Sequence, residues 1–84
     1  MLINLQVSNQ FSERILGVDE DNIQSTLEEI FNNEWTSQVS LLDHSGNVIM
    51  TYFWHNMIGM LNEDGTYYTL GQEIVNDYTA YLLT

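Results

Sequence analysis

Lysine, cysteine and proline are all absent from this sequence, and Arg14 is its single basic side chain. Each absence excludes something. Without cysteine there is no disulfide framework, no thiolate nucleophile and no Cys-based zinc or iron–sulfur site, so stability rests on an ordinary core and the chain can fold in a reducing compartment. Without lysine there is no Schiff-base chemistry and no P-loop, and the sequence also lacks a glycine-rich phosphate loop, G-x-S-x-G and H-E-x-x-H. Only Arg14 is left to stabilise an oxyanion, so an enzyme is not expected. No apolar run reaches the roughly 20 residues of a spanning helix. The opening Met1-Leu-Ile-Asn-Leu-Gln-Val7 alternates with polar residues and lacks the basic start of a secretory signal, which points to a soluble intracellular protein.

What is present is acid. The 84 residues carry 12 Asp plus Glu against 1 Lys plus Arg, a formal net charge of -11 at pH 7. Charged residues make up 15% of the chain, against about 25% in an average globular protein, so the acids are near their usual number and the bases are missing. Codon bias does not explain this, because Asn and Lys codons differ only in the third base and asparagine is abundant. A halophilic surface would carry more carboxylates and fewer large apolar residues. Hydrophobic residues at 44% bury enough area to fold, which excludes disorder. At this length one core is expected, so residues 1–84 read as a single domain.

Ile3, Leu5 and Val7 alternate with Asn4 and Gln6, the period of a strand with one buried face. Residues 8–16 read as a turn or brief helix with Phe11, Ile15 and Leu16 inward, and Gly17 reads as a left-handed stop. Asp21 with Gln24 forms the pattern of a capping box, and Ile23, Leu27, Ile30 and Phe31 follow at helical spacing, which predicts an amphipathic helix over about 22–34. Turn signals at 43–47, 55–56 and 62–65 then divide the chain into short strands near 37–43, 47–54, 57–62 and 66–69. In the second of these, Val48, Met50, Tyr52 and Trp54 share one face, and Ile49, Thr51 and Phe53 the other. Thr69 with Gln72 reads as a second capping box, and Ile74, Val75, Tyr78, Tyr81 and Leu82 predict a helix to the end. The expected fold is α+β: an antiparallel β-meander of four to five strands with two helices packed on it.

Chemistry has few places to sit. Asp43-His44-Ser45 contains the residue types of a hydrolytic triad, but three consecutive residues cannot align hydroxyl, imidazole and carboxylate, and the segment reads as a polar turn, as does His55. Asp19-Glu20-Asp21-Asn22 is the densest oxygen cluster, yet Gln24 and Ile30 stand where a calcium loop needs glycine and glutamate. No cofactor and no metal are expected.

The carboxylates instead read as a partner-binding surface: Asp19, Glu20 and Asp21 at the first helix entrance, Glu28, Glu29 and Glu34 along or after that helix, Glu63 and Asp64 in a turn, and Glu73 and Asp77 on the last helix. The helix entrance has a local reason, since negative charge there complements the macrodipole by about 0.3–1 kcal/mol. The others have none visible in the sequence, and Glu73 with Asp77 is a like-charge pair at i, i+4. Such a surface presents what duplex DNA presents, about one negative charge per 1.7 Å of axis. Lysines would weaken it point by point, which is a physical reason for their exclusion. It repels nucleic acid and anionic membranes, and its natural complement is a basic nucleic-acid-binding protein. Trp35, Trp54, Tyr67 and Tyr68 are candidate anchors at its rim.

In size, acidity, lack of cysteine and α+β layout the chain resembles the small acidic DNA-mimic inhibitors of phages and mobile elements: anti-CRISPR proteins and, less closely, uracil-DNA glycosylase inhibitors. The Glu-Ser-Ile segment that marks the glycosylase inhibitors has only Ser12-Glu13-Arg14-Ile15 as a counterpart, in another order and with a basic residue inserted. A hydrophobic pocket of the kind those inhibitors offer an enzyme loop would lie around Met57, Ile58, Met60 and Leu61. The resemblance implies a non-enzymatic inhibitor, monomeric or a small homo-oligomer, acting in the host cell cytoplasm on a Cas effector or a DNA repair enzyme. Two alternatives share the charge argument: an immunity or antitoxin protein that plugs a basic nuclease toxin, and a virion or structural interaction protein.

Overall fold

A computed structural model describes residues 1–36, 38–53 and 69–84. Its elements are β1 (Leu2–Ser8), β2 (Glu13–Asp19), a 3₁₀ turn (Glu20–Asn22), α1 (Ile23–Asn33), β3 (Gln38–Leu42), β4 (Val48–Phe53) and α2 (Leu70–Leu82). The four strands form one antiparallel sheet in the order β2-β1-β3-β4, and the expected α+β fold with two helices is present. Two hairpins meet along β1 and β3, and α1 carries the chain across β1 from one hairpin to the other. Expected strands near 57–62 and 66–69 lie outside the described residues, apart from Thr69, which immediately precedes α2.

The alternation in β1 does what its period requires: Ile3, Leu5 and Val7 are buried under the helices, and Asn4, Gln6 and Ser8 face the other way. Val39 and Leu41 of β3, Tyr52 of β4 and Val18 of β2 extend that apolar face. Ile23, Leu27, Ile30 and Phe31 of α1 cover it, together with Leu70, Ile74 and Tyr78 of α2. A bulge between Leu41 and Leu42 breaks the period of β4, so that Ile49 packs against the core as Tyr52 does while Val48 and Met50 are exposed.

Residues 8–16 differ from expectation. A tight hairpin at Asn9–Ser12, held by the Asn9 N–H donating to the Ser12 carbonyl at 2.9 Å, returns the chain as β2 instead of a turn or helix. Phe11 is 86% exposed and Ile15 64% exposed, the reverse of the inward positions their hydrophobicity suggests, and Gly17 lies within β2 opposite Asn4. The 43–47 turn is as expected, with Gly46 at φ +87°, a left-handed conformation that costs glycine little.

Both helix starts are also built differently. Asp19, not Asp21, caps the first one, its carboxylate accepting from the Asp21 N–H at 3.3 Å, and Asn22 precedes α1 without a side-chain cap. Gln24 reaches across to α2, where its Oε1 accepts from the Gly71 N–H at 2.7 Å. That N–H belongs to the first turn of α2, whose donors have no partner within their own helix, and Thr69 makes no side-chain cap there. The first apparent capping box is therefore replaced by a local bond to Asp19 and the second by a long-range bond to Gln24.

Candidate protein-binding surface

The only basic side chain is engaged. Arg14 projects from β2 and makes a two-pronged ion pair with Glu34, just past α1, at 2.8 and 3.1 Å. Side-chain alternation places Arg14 on the helix-facing side of β2, in register with Val7, which brings it within reach of the end of α1. Glu34 was expected among the open carboxylates and is instead tied to this partner.

Asp19, Glu20 and Asp21 cluster at the start of the 3₁₀ turn, at the end of the sheet where β1 begins. The Met1 ammonium stands 3.6 Å from Glu20 and 4.0 Å from Asp19. The N-terminus of α2 opens beside them, across a groove lined by Glu20, Asp21, Gln24, Thr69, Gly71 and Gln72. Glu20 and Asp21 thus sit in the 3₁₀ turn that leads into α1, and Glu73 in the first turn of α2, where the macrodipole favours acid.

The remaining acids are dispersed. Glu28 accepts from the Gln24 amide at 3.1 Å. Glu29 is exposed and lines a second groove, between α1 and β2, with Arg14, Leu16, Thr26, Ile30 and Asn33. Asp77 accepts from the Tyr52 hydroxyl at 2.5 Å, which ties α2 to β4 and gives one member of the expected like-charge pair a structural role. Glu13, on the outward face of β2, accepts from the Gln6 amide at 2.7 Å. It is not among the expected site residues, since residues 8–16 read from sequence as a turn or brief helix. Glu63 and Asp64 lie outside the described residues.

Asp43 is held in its own turn and not aimed at chemistry. The Asn47 N–H donates to its carboxylate at 2.8 Å and the Ser45 N–H at 2.9 Å; the Asn47 bond chiefly, with the Ser45 bond, holds its carboxyl below the usual value despite an opposing desolvation effect. His44 turns instead to α2, its Nε2 3.1 Å from the Tyr78 hydroxyl. The residues of the apparent triad therefore point to different partners. Among the described residues no three metal-ligating side chains converge, and no helix is long and apolar enough to cross a membrane.

Exposed aromatics gather at the end of the sheet opposite the Asp19–Asp21 cluster. Ser8, Gln38 and Phe53 are in register there, the hairpin carrying Phe11 extends just beyond Ser8, and Trp35 precedes β3. Phe53 is 80% exposed and Trp35 52% exposed. Trp35 was expected at a rim; Phe11 and Phe53 were not, and only their place in the register identifies them. Trp54, Tyr67, Tyr68 and the apolar stretch 57–61 lie outside the described residues.

No protein-family model matches this chain, and no curated protein or solved structure matches it either.

Proposed function

We propose that this protein is a non-enzymatic inhibitor that occupies the basic nucleic-acid-binding cleft of a defence or repair enzyme, with the DNA groove of a Cas effector as the first target class and uracil-DNA glycosylase as the next. One observation carries the reading. Twelve carboxylates face one basic side chain, and that side chain, Arg14, is committed to Glu34, so no free cationic side chain interrupts the acidic surface. The mechanism is competition: the surface is steered to a positive cleft, and nucleic acid can no longer enter. Phe11, Trp35 and Phe53 supply apolar contact that charge alone lacks, as aromatic side chains do at protein interfaces.

The test is a capture experiment with the tagged protein in host lysate, washed at low and then high salt. Recovery of a basic nucleic-acid enzyme that competing duplex DNA displaces supports the reading and names the target. Recovery of a small basic nuclease indifferent to duplex DNA favours an immunity protein, and recovery of the protein alone favours a structural one.

A further inference from the structure

The outer edge of β2 presents backbone groups that no described residue pairs. Among the described residues β2 is a terminal strand of the sheet, so only one of its two edges has a described partner. In an antiparallel pair, alternate residues bond to the neighbour and the others face away. Two bonds fix the phase here: the Asn9 N–H donates to Ser12 at one end, and the Glu20 N–H donates to the Met1 carbonyl at 3.0 Å at the other. With Val7 opposite Arg14, Leu5 opposite Leu16 and Ile3 opposite Val18, those even-numbered residues of β2 bond to β1. The N–H and C=O groups of Glu13, Ile15, Gly17 and Asp19 therefore point away from the sheet, and no described residue pairs with them.

Natural edge strands are commonly guarded by proline, by lysine or by brevity. This strand has seven residues and neither proline nor lysine. Its charge is of a different kind. Glu13 and Asp19 stand at its two ends, about 20 Å apart at the usual strand rise. Glu29 lies across the groove on the helix side, and Arg14 is held by Glu34. Ile15 is exposed between the two end carboxylates. A second copy of this chain would bring another net charge of -11 to the same edge, which opposes self-pairing.

We propose that the β2 edge docks an extended, lysine- or arginine-bearing segment of the basic partner, which joins the sheet as an added strand. Main-chain bonds at Glu13, Ile15, Gly17 and Asp19 supply affinity, and cationic side chains opposite Glu13 and Asp19 supply selectivity. The sign of the occupant's charge rests on the partner class proposed above; the edge that no described residue pairs does not.

The test uses the full ¹⁵N-labelled chain titrated with a heptapeptide of alternating lysine and valine, beside the same peptide N-methylated at every backbone nitrogen, which leaves neither of its edges an N–H. The two carry equal charge, but only the first can pair along an edge. The expected result is that the unmodified peptide shifts the amide resonances of Glu13, Ile15, Gly17 and Asp19 and slows their hydrogen exchange about tenfold or more, while the methylated peptide does neither. Equal binding of both peptides, or shifts confined to Asp21 and Glu73, overturns the proposal in favour of simple charge attraction. Concentration-dependent shifts of the same amides without peptide overturn it in favour of a second copy. The variant Ile15→Pro removes an outward N–H, a position where edge strands tolerate proline, and is expected to abolish the peptide effect with the far-UV spectrum retained. Full inhibition of the captured target by Ile15→Pro would overturn edge docking and leave the inhibitor reading standing. Edge binding of the peptide without any captured nucleic-acid enzyme would do the reverse.

Discussion

Thr36 is 1% exposed and its Oγ1 has no hydrogen-bond partner among the described residues. A buried hydroxyl left unpaired costs about 1–3 kcal/mol, and valine has the same shape without the hydroxyl. Thr36→Val is therefore expected to stabilise the fold by about 1 kcal/mol, read as a higher urea midpoint with an unchanged slope. Asp43 works in the opposite sense. Its folded carboxyl lies below the usual value because the Asn47 and Ser45 N–H groups favour the charged form. Its bonds thus stabilise the fold at pH above the unfolded value, and the contribution disappears as pH falls through the depressed one. Asp43→Asn is expected to flatten that part of the acid unfolding curve relative to the parent chain, with little difference between the two once both states are protonated. The Asp43–Asn47 turn was legible from its residue types, but the orphaned Thr36 hydroxyl was not, since satisfaction depends on neighbours that no local pattern names.

Elements were legible where a long period met a buried face. β1, α1 and α2 each stand where an apolar stripe predicts them, although Tyr81 and Leu82 at the end of the α2 stripe are exposed. β2 was not legible, because Val18 is its only buried residue and its exposed Ile15 imitates an inward position. What makes it a strand is pairing with β1 through a tight hairpin, a tertiary cause. The helix crossing was hidden for a similar reason. A Cβ on Gly71 would lie 2.7 Å from the Gln24 Cα and 2.8 Å from its backbone N, contacts no side-chain rotation can relieve. Gly71→Ala is accordingly expected to destabilise the domain: with two backbone atoms this close, prying the helices apart costs up to about 3 kcal/mol, which outweighs the roughly 1 kcal/mol that alanine gains in helix propensity. Denaturant unfolding checks the net loss, and faster amide exchange at Gly71, whose N–H the Gln24 side chain caps, locates it. An unchanged or higher midpoint would mean that the crossing is looser than these distances imply.

At the scale of the whole molecule the acidic count was plain in the sequence, and its arrangement was not. Pairing removes Glu34 through Arg14, and Asp77 is turned to a structural task by Tyr52. Asp19, Glu20, Asp21 and Glu29 remain on the surface, at the sheet end and along the α1–β2 groove, and Glu13 joins them from a strand that the sequence disguised. This distribution makes two salt responses of opposite sign expected from one cause. Raising ionic strength from about 0.01 M to about 0.15 M shortens the Debye length from about 30 Å to about 8 Å, which weakens repulsion between carboxylates on different faces of the domain. The free protein should then melt higher, each 1 kcal/mol of relief appearing as roughly 4–8 °C at this size. The same screening weakens attraction to a positive cleft, so inhibition of the captured target should fall over the same range, chiefly through slower association. Charge reversal at Glu28, Glu29, Glu63 and Asp64 should mimic the salt in both respects, raising the melting temperature at low salt while abolishing inhibition. Melting that rises with salt while potency stays constant would show that the acidic surface repels itself without being what the partner reads.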